Sequence, residues 1–308
     1  MSSMSKSLVA VDIGATNIRV ASGGPDGIHM KLKEKTSTVS PSDVSQQIID
    51  LIRRLDVEPE SIGVGAIGPI NMETGEIRNT PNLPFDRIPI VRPLKDAFNV
   101  PVSMMNDCTA GVLGEWKHGA GKGYSNLAYI TLSTGLGGGV IVDGHLLKGK
   151  DGNAAEIGHF TIDPESTLRC GCGCRGHWEA YCGGSNMDQL AEYVLGKNIG
   201  EYRERLGGVT AEKVFSMAGR GDMDSVQIVE EYGRVNAVGF ANVVNAYDPE
   251  VLTVGGSIAL NNPGLVLNPI LKSIDNHLIN RKPEIIITPL GEDIILYGAI
   301  ALASIVFI

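Results

Sequence analysis

Residues 8–22 read LVAVDIGATNIRVAS, and this stretch decides the fold. A short apolar run, Leu8–Ile13, ends in a turn that contains glycine, and the alternating segment Ile18–Ser22 follows it. Apolar runs on both sides of a glycine turn are typical of a β-hairpin. We therefore expect residues 8–22 to form a hairpin.

A second stretch, LAYITLSTGLGGGVIV at residues 127–142, repeats this layout. Leu127–Leu132 is an apolar run, Ser133–Gly139 is a glycine-rich turn, and Val140–Val142 returns from it. We interpret the two stretches as a weak internal repeat of a hairpin, which suggests two related α/β lobes.

Around these hairpins, predicted strands alternate with predicted helices, which is the signature of the α/β class. Apolar residues at helical spacing predict helices over residues 42–55, 109–117, 211–217, 225–247 and 264–279. Short apolar runs predict strands over residues 62–67, 102–105, 251–254 and 284–287. Segment 68–93 is rich in Pro and Asn and is predicted to be a loop.

The composition excludes several classes of protein. Glycine accounts for 39 of the 308 residues, but there is no Gly-X-Y period and 43% of the residues are hydrophobic, so the chain is neither collagenous nor disordered. The net charge of −9 repels phosphate backbones and anionic lipid. We therefore expect no nucleic acid and no membrane as partner.

The two ends of the sequence bear on its location. The first residues, MSSMSKSL, lack the apolar centre of a signal peptide. Ile294–Ile308 carries no charge, but its 15 residues are fewer than the ~20 that a membrane-spanning helix needs. We predict a buried C-terminal helix there and a cytoplasmic protein.

The cysteines are too unevenly placed for a secreted disulfide framework. Three of the five lie within residues 170–174, and His159 and His177 flank them. These groups exceed the four ligands of tetrahedral zinc, and Cys170 and Cys172 can both turn toward one ion. The density of candidate ligands disfavours the alternative of unligated buried thiols. We predict a structural zinc site that pins a glycine-rich loop.

Two glycine turns, Asp12–Asn17 and Thr134–Gly139, are candidates for phosphate binding, because glycine lets successive backbone amides converge on an anion. Neither is a Walker loop, and each alone is compatible with a plain hairpin, but the pair suits a triphosphate. Asp12 lies at a strand end, where it could hold Mg²⁺ through water or simply cap the turn. The strand end Val254–Ser257 is a third candidate, since its amides could face a nucleotide.

Asn106 and Asp107 lie between a predicted strand and a predicted helix. Open α/β sheets place ligands at the carboxyl ends of their strands, so Asp107 is positioned to accept a proton from a sugar hydroxyl that attacks phosphorus. The alternative is that this pair supplies an Asx cap for the helix over residues 109–117, which propensity favours at least as much.

Seven motifs together resemble the ROK family of sugar kinases and related repressors. They are Asp12-Ile-Gly-Ala-Thr16, Asn79-Thr-Pro-Asn82-Leu-Pro84, Asn106-Asp107, Ser133–Gly139, Glu156-Ile-Gly-His159, the Cys-x-Cys-Gly-x-x-Gly-x-x-Glu run of residues 170–179, and Gly255-Gly256. The likeness extends from residue 8 to about residue 300.

This resemblance implies an actin-like, ribonuclease H-like fold of two lobes with the ligands in a central cleft. We assign residues 1–105, joined by the C-terminal helix 292–308, to the first lobe, and residues 106–291, with the zinc loop 159–179, to the second. The implied activity is phosphorylation of a hexose, such as glucose, at its 6-hydroxyl by ATP with Mg²⁺. The family also suggests a homodimer.

The resemblance implies a role for each motif. Asp107 would be the general base, and Asn106 would bind an adjacent sugar hydroxyl. The remaining sugar contacts would come from Glu156, His159, Glu179, Asn82 and the loop Gly65–Pro69. The nucleotide would be bound by Asp12, Gly14, Ala15, Thr16, Asn17, Arg19, Thr134, Gly135, Gly137, Gly138, Gly255 and Gly256, with Asp12 also serving Mg²⁺.

The sequence departs from the family pattern at three places. His177 stands where the family has its third thiol, so the implied zinc ligands are His159, Cys170, Cys172 and either His177 or Cys174, with His177 preferred by alignment. Asn17 stands where many members have lysine, which leaves Arg19 to supply charge toward phosphate. The loop Gly65–Pro69 lacks the usual Pro-Gly order.

Two other functions compete with hexose phosphorylation. One is the same chemistry on an N-acetylhexosamine such as N-acetylmannosamine or N-acetylglucosamine. The other is a sugar-responsive repressor, which we disfavour because only 11 residues precede Asp12 and the chain is acidic.

Overall fold

The computed structural model describes residues 6–80 and 83–305. The strands are β1 (Lys6–Ile13), β2 (Asn17–Gly24), β3 (Gly27–Lys35), β4 (Glu58–Ala66), β5 (Ile70–Asn71), β6 (Glu76–Arg78), β7 (Arg87–Pro89), β8 (Val102–Asn106), β9 (Leu127–Leu132), β10 (Leu136–Val142), β11 (His145–Leu146), β12 (Val251–Gly255) and β13 (Glu284–Ile287). The helices are α1 (Pro41–Arg53), α2 (Val91–Phe98), α3 (Asp107–His118), α4 (Trp178–Cys182), α5 (Met187–Leu195), α6 (Ile199–Leu206), α7 (Ala211–Gly219), α8 (Met223–Tyr247), α9 (Ser257–Asn261), α10 (Pro263–Ser273) and α11 (Ile294–Ile305).

The chain divides into two compact units. Unit 1 comprises Met1–Tyr124, Gly139–Ala154 and Pro289–Ile308, and unit 2 comprises Ser125–Gly138 and Ala155–Thr288. This division differs from a boundary at residues 105/106, because α3 packs against α11 and β4 and therefore belongs to unit 1.

Unit 1 is built on a five-stranded sheet of order β3-β2-β1-β4-β8. β1 and β2 pair antiparallel, with Asp12 opposite Arg19, which confirms the predicted hairpin. β4 pairs parallel with β1, and β8 pairs parallel with β4. The sequence analysis did not predict β3, because its segment GIHMKLKEK is mostly polar and lies exposed at the sheet edge.

Helices cover both faces of this sheet. On one face α1 and α2 bury apolar side chains against the strands, and Ser40 caps α1 through the Asp43 amide with Pro41 at the first helical position. On the other face α11 packs against β1 and β4 and contacts α3. A Cβ atom at Gly298 would lie 1.7 Å from the Ala110 carbonyl oxygen, so only glycine permits this approach of α11 to α3.

In the second large sheet the order is β11-β10-β9-β12-β13, with β12 parallel to both β9 and β13. Unit 2 contains β9, β12, β13 and the first residues of β10, whereas the rest of β10 and β11 group with unit 1. The long helix α8 begins after Asp222, whose carboxylate accepts a hydrogen bond from the Ser225 amide, and packs against α7 and α10. The predicted core helix over residues 225–247 is confirmed.

Three predicted elements are corrected by the structure. Residues 68–93 are not a continuous loop, because β5, β6 and β7 form a small antiparallel sheet there and α2 begins at Val91. The helix predicted over 264–279 ends at Ser273 and continues only as a 3₁₀ turn to Asn276. The helix predicted over 109–117 begins earlier, at Asp107.

The C-terminal apolar segment forms the buried helix α11, as predicted up to Ile305. Residues 306–308 lie outside the described part of the chain. Over the residues that are described, no helix combines the length and the apolar character required to cross a bilayer.

Candidate active site

The first glycine turn, Gly14–Thr16 between β1 and β2, holds a buried ion pair at its base. Asp12 is 4% exposed, and the Arg19 Nε donates to its Oδ2 at 2.7 Å. Burial raises the pKa of the Asp12 carboxyl, and the Arg19 guanidinium lowers it in part. Arg19 also donates to the Glu292 carbonyl oxygen at 2.5 Å. The guanidinium therefore contacts both Asp12 and the segment just before α11.

Thr36 stabilises the same turn through two hydrogen bonds, and the sequence did not predict this residue as part of the site. Its amide donates to the Thr16 carbonyl at 3.0 Å and its hydroxyl donates to the Gly14 carbonyl at 2.7 Å. The Gly14 amide in turn donates to the Asn17 carbonyl at 3.0 Å. These bonds fix the turn, and no sequence signal pointed to Thr36 because β3, which delivers it, was not predicted.

Asn106 and Asp107 lie at the junction between β8 and α3. The Asn106 side chain caps the helix and accepts from the Cys108 amide at 2.9 Å and from the Thr109 amide at 3.4 Å. Asp107 is the first residue of α3, and its Oδ1 accepts from the Cys108 amide at 2.8 Å. An Asx residue therefore caps the helix, as the alternative held, and that residue is Asn106.

The loop after β4 approaches this junction within unit 1. Gly65 pairs with Met105 across β4 and β8, and a Cβ atom at Gly68 would lie 3.1 Å from the Asn106 Nδ2. The Gly68–Pro69 peptide bond is cis. Asn82, a predicted sugar contact, lies outside the described residues.

The second glycine turn is shorter than its sequence suggests. β10 begins at Leu136, so Gly137, Gly138 and Gly139 are strand residues and only Ser133–Gly135 turn. Packing explains Gly138, since a Cβ atom there would lie 2.4 Å from Ile157 Cδ1. The turn is held by the Gly184 amide, which donates to the Ser133 carbonyl at 2.8 Å, and by the Ser185 amide, which donates to the Thr134 carbonyl at 2.9 Å.

Glu179, near the start of α4, links this turn to the cysteine loop. Its Oε2 accepts from the Leu136 amide at 2.9 Å, and its Oε1 accepts from the Cys170 thiol at 3.2 Å. Glu156 lies nearby, with its carboxylate 3.9 Å from the His159 Nε2. Partial burial raises the pKa of Glu156, His159 lowers it in part, and the Glu179 carboxylate raises it. Unit 2 therefore gathers Glu156, His159 and Glu179, the three predicted sugar contacts of that region.

The end of β12 meets the second turn inside the same unit. Gly255 pairs with Thr131 of the parallel strand β9. Gly256 has a φ of +84°, and a Cβ atom there would lie 2.4 Å from the Leu132 carbonyl oxygen. Only glycine fits this position. The end of β12 and the second glycine turn, two of the three predicted phosphate-binding segments, therefore lie side by side.

Four side chains of the cysteine loop converge on one point. The candidate ligand atoms of His159, Cys170, Cys172 and His177 all lie within 4.8 Å of one another. The two Nδ1 atoms of His159 and His177 are 3.3 Å apart, the Cys170 Sγ is 3.5 Å from the His159 Nδ1, and the Cys172 Sγ is 3.4 Å from the His177 Nδ1.

These separations fit a tetrahedral metal. Zinc bonds of about 2.0–2.1 Å to nitrogen and about 2.3 Å to sulfur place neighbouring ligand atoms roughly 3.3–3.8 Å apart. Burial lowers the pKa of His177, which favours the neutral imidazole that a metal requires. The four side chains are therefore arranged as a closed set of zinc ligands would be.

Cys174 lies beside this group rather than within it. It is exposed, and its contact with the Cys172 thiol raises the pKa of Cys174. Of the two candidates for the fourth ligand, the structure brings His177 into the cluster. Backbone bonds shape the loop, since the Cys170 amide donates to the Cys174 carbonyl at 2.9 Å and the Gly173 amide donates to the Cys170 carbonyl at 2.9 Å.

The chain matches a known protein family over almost its whole length. The model of the ROK family matches residues 8–305. The chain belongs to the ROK family. A glucokinase of Pyrobaculum calidifontis is 41% identical over 300 residues, which cover 96% of this chain and 94% of that protein.

Two solved structures of ROK proteins share the fold. The ROK hexokinase from Thermus thermophilus matches with a TM-score of 0.84 and 31% identity, covering 97% of this chain and 98% of its own. A ROK glucokinase from Streptomyces griseus, in complex with glucose and AMPPNP, matches with a TM-score of 0.82 and 29% identity, covering 97% and 99%. The mixed α/β fold is thus the actin-like fold of ROK sugar kinases, as the sequence motifs predicted.

Proposed function

We propose that this ROK protein is an ATP-dependent hexokinase that phosphorylates glucose or a related hexose at the 6-hydroxyl. The observation that carries the proposal is the 41% identity to a glucokinase over 96% of the chain. The similar Streptomyces griseus glucokinase binds glucose and AMPPNP together, which supports a sugar and a nucleotide as the two substrates.

Asp107 is the proposed general base. As the sugar O6 attacks the γ-phosphorus of ATP, the bond from that phosphorus to the β,γ-bridging oxygen breaks, ADP leaves, and the hydroxyl proton passes to the carboxylate. The hydrogen bond from the Cys108 amide to Asp107 Oδ1 orients the carboxylate at the amino end of α3. That helix end also favours the charged form of the base.

The sugar contacts proposed for unit 2 are Glu156, His159 and Glu179. The His159 ring is suited to two tasks, because its Nδ1 faces the cysteine cluster while its Nε2 lies 3.9 Å from the Glu156 carboxylate. In unit 1, Asn106 and the loop Gly65–Pro69 supply further polar groups toward the sugar. The loop can contribute because Gly68 approaches the Asn106 amide.

The two glycine turns and the end of β12 are proposed to bind the phosphates of ATP. Asp12 is the proposed carboxylate for Mg²⁺, which supplies charge neutralisation on the phosphates. The Asp12 carboxylate suits this role, because it is buried and pairs only with Arg19 among the described ion pairs. Arg19 then balances the Asp12 charge and is itself held by the Glu292 carbonyl.

The four ligands His159, Cys170, Cys172 and His177 are proposed to hold a structural zinc ion. Bound zinc crosslinks a loop that has little regular structure of its own. The Cys170 Sγ also lies 3.2 Å from the Glu179 Oε1, so the same loop lies against a proposed sugar contact.

A coupled assay of ADP release tests the function directly. Glucose, mannose, glucosamine, N-acetylglucosamine and N-acetylmannosamine are offered in turn with Mg·ATP. We expect glucose or another free hexose to give the highest kcat/KM. Preference for an N-acetylhexosamine would overturn the substrate assignment, and the absence of ADP release with every sugar, together with specific binding to DNA, would favour a repressor. The implied homodimer stays a prediction that light scattering can test.

A further inference from the structure

The face of the first sheet that carries Asp12 also carries several cations. Residues directly opposite one another on paired strands project to the same face of a sheet. Asp12 is opposite Arg19, Arg19 is opposite Lys33, and Asn17 is opposite Lys35. Lys31, opposite Ala21, lies on this face as well. Four cations therefore line the surface that leads to the first glycine turn.

Two of the four cations are already neutralised within the fold. Arg19 pairs with Asp12, and the Lys31 ammonium lies 2.6 Å from an Asp293 carboxylate oxygen. The ammonium groups of Lys33 and Lys35 have no hydrogen bond and no ion pair in residues 6–80 and 83–305. Both residues are exposed, so this surface keeps an excess of positive charge in a chain whose net charge is −9.

These two lysines lie close to the first glycine turn. Lys33 is near enough to Asp12 to lower the pKa of that carboxyl, although burial dominates. Lys35 is opposite Asn17, the residue that follows the turn, and the next residue, Thr36, fastens the turn through the Gly14 and Thr16 carbonyls. The backbone of β3 is therefore fixed against the turn, while each lysine side chain extends from it.

We propose that Lys33 and Lys35 bind the phosphate chain of the nucleotide and form a cationic wall beside the first glycine turn. The inference rests on the proposed function, because it takes the triphosphate as the anion bound at that turn. Arg19 and Lys31 do not serve this role, since their charges are paired with Asp12 and Asp293. A flexible ammonium acts as a point charge toward phosphate and needs no single fixed geometry.

A different use of the same lysines is protection of the sheet edge. β3 ends the sheet order, and charged side chains on an edge strand hinder pairing with a second chain. That role concerns aggregation only and predicts no change in nucleotide affinity. It also makes no distinction among Lys31, Lys33 and Lys35, which all lie on the same strand.

The test compares Lys33→Met, Lys35→Met and the double variant with Lys31→Met. Lys31→Met is the matched control, because it removes one charge from the same face of the same strand but a charge that Asp293 already balances. Binding of Mg·ATP and Mg·ADP is measured by calorimetry without sugar, and the KM for ATP is measured with saturating sugar. Circular dichroism confirms that each variant folds.

We expect the Kd for Mg·ATP to rise about threefold in each single variant and about tenfold in the double variant, the size expected of unit charges roughly 7 Å from the phosphates in a water-like dielectric. The effect should shrink as the salt concentration rises, and it should be larger for Mg·ATP than for Mg·ADP. The change in Kd for Lys31→Met should be less than about half of the change in either the Lys33 or the Lys35 single variant.

Equal effects in all three single variants, or none in the double variant, would overturn the proposal while leaving hexose phosphorylation intact. Failure of the unaltered protein to bind Mg·ATP or to release ADP with any hexose would instead count against the proposed function.

Discussion

Asp107 and Glu179 are two of the carboxylates in the proposed site, and the fold holds them in different ways. Asp107 stands where β8 becomes α3, so regular hydrogen-bonded structure on both sides sets its position. Glu179 stands beside a loop with almost no regular structure, and it is held by one strand amide and one thiol of the cysteine cluster.

The comparison shows two ways in which a fold can position a functional side chain. The region of Asp107 needs only apolar packing, because buried residues of α3 and α11 support the helix from behind. The region of Glu179 needs a crosslink, since glycine-rich segments pay a large entropic cost when they are ordered. We expect loss of metal to disturb Glu179 and to leave Asp107 in place.

The largest expected effect comes from Asp107→Asn. Without a base, kcat for the preferred hexose should fall by about 10²–10⁴-fold, the usual contribution of a positioned general base. The zinc content and the melting temperature should stay unchanged, because the amide can still accept from the Cys108 amide. Release of ADP and metal analysis measure the two quantities.

Asp96→Asn serves as the matched control for this change, since Asp96 lies exposed on α2 and pairs only loosely with Arg92 at 3.7 Å. Turnover of Asp107→Asn close to that of Asp96→Asn would remove Asp107 from its proposed role.

The second effect concerns the metal. His177→Ala should reduce bound zinc from about one per chain to well below that value, and the KM for sugar should rise by more than about tenfold because Glu179 and His159 lose their support. Cys174→Ala should keep its zinc, because Cys174 lies beside the cluster and not among its four ligand atoms. Metal analysis of both variants, paired with sugar kinetics, decides between them.

The reverse outcome, with zinc kept in His177→Ala and lost in Cys174→Ala, would make the thiol the fourth ligand. A protein that is fully folded and active without any zinc would refute the structural metal in either form.

The third effect isolates Glu179 from the metal. Glu179→Gln keeps the size of the side chain but replaces the charged acceptor of the Leu136 amide with a neutral one. Loss of a charged hydrogen bond costs about 1.5–3 kcal/mol, so the KM for sugar should rise roughly 10- to 100-fold. Zinc content should remain near one per chain. A fall in kcat with an unchanged KM would mean that Glu179 acts on the reaction and not on sugar binding.

The smallest effect is expected at Thr36, in the half of the site that needs no metal. Thr36→Val removes the hydroxyl that donates to the Gly14 carbonyl but keeps the amide bond to Thr16. We expect a loss of about 1–2 kcal/mol in the free energy of unfolding and a rise of a few-fold in the KM for ATP. Thr36→Ser should restore both. Denaturant unfolding and ATP kinetics test this. A Val variant that matches the parent in both would show that the turn does not need the Thr36 hydroxyl bond.

The sequence predicted much of this architecture because local pattern and tertiary fold agree in the apolar elements. The hairpin of β1 and β2, the helices α1 and α8, and the strands β12 and β13 lie where apolar spacing placed them. Polar segments were harder, since β3 and the small sheet of β5, β6 and β7 show little apolar alternation and depend on the contacts of the folded chain.

The candidate site divides along a similar line. Sequence motifs pointed to the Cys and His residues of the zinc loop, and the structure brings four of them together. Sequence preferred His177 to Cys174 only by alignment with the family, because both follow a glycine in the same loop, and the folded backbone is what brings His177 to the other three ligands. The extent of the second glycine turn was also overestimated, since glycines selected for packing against Ile157 resemble glycines selected for a turn.

By itself, the sequence determined the α/β class, the family and the identity of the residues with reactive side chains, because these depend on residue type and on spacing along the chain. The tertiary structure decided which charges are already paired. Arg19 and Lys31 find partners in Asp12 and Asp293, whereas Lys33 and Lys35 find none among the described residues, although all four cations lie on one face. Lys31 and Asp293 are 262 residues apart in the chain, and electrostatic pairing depends on distance in space.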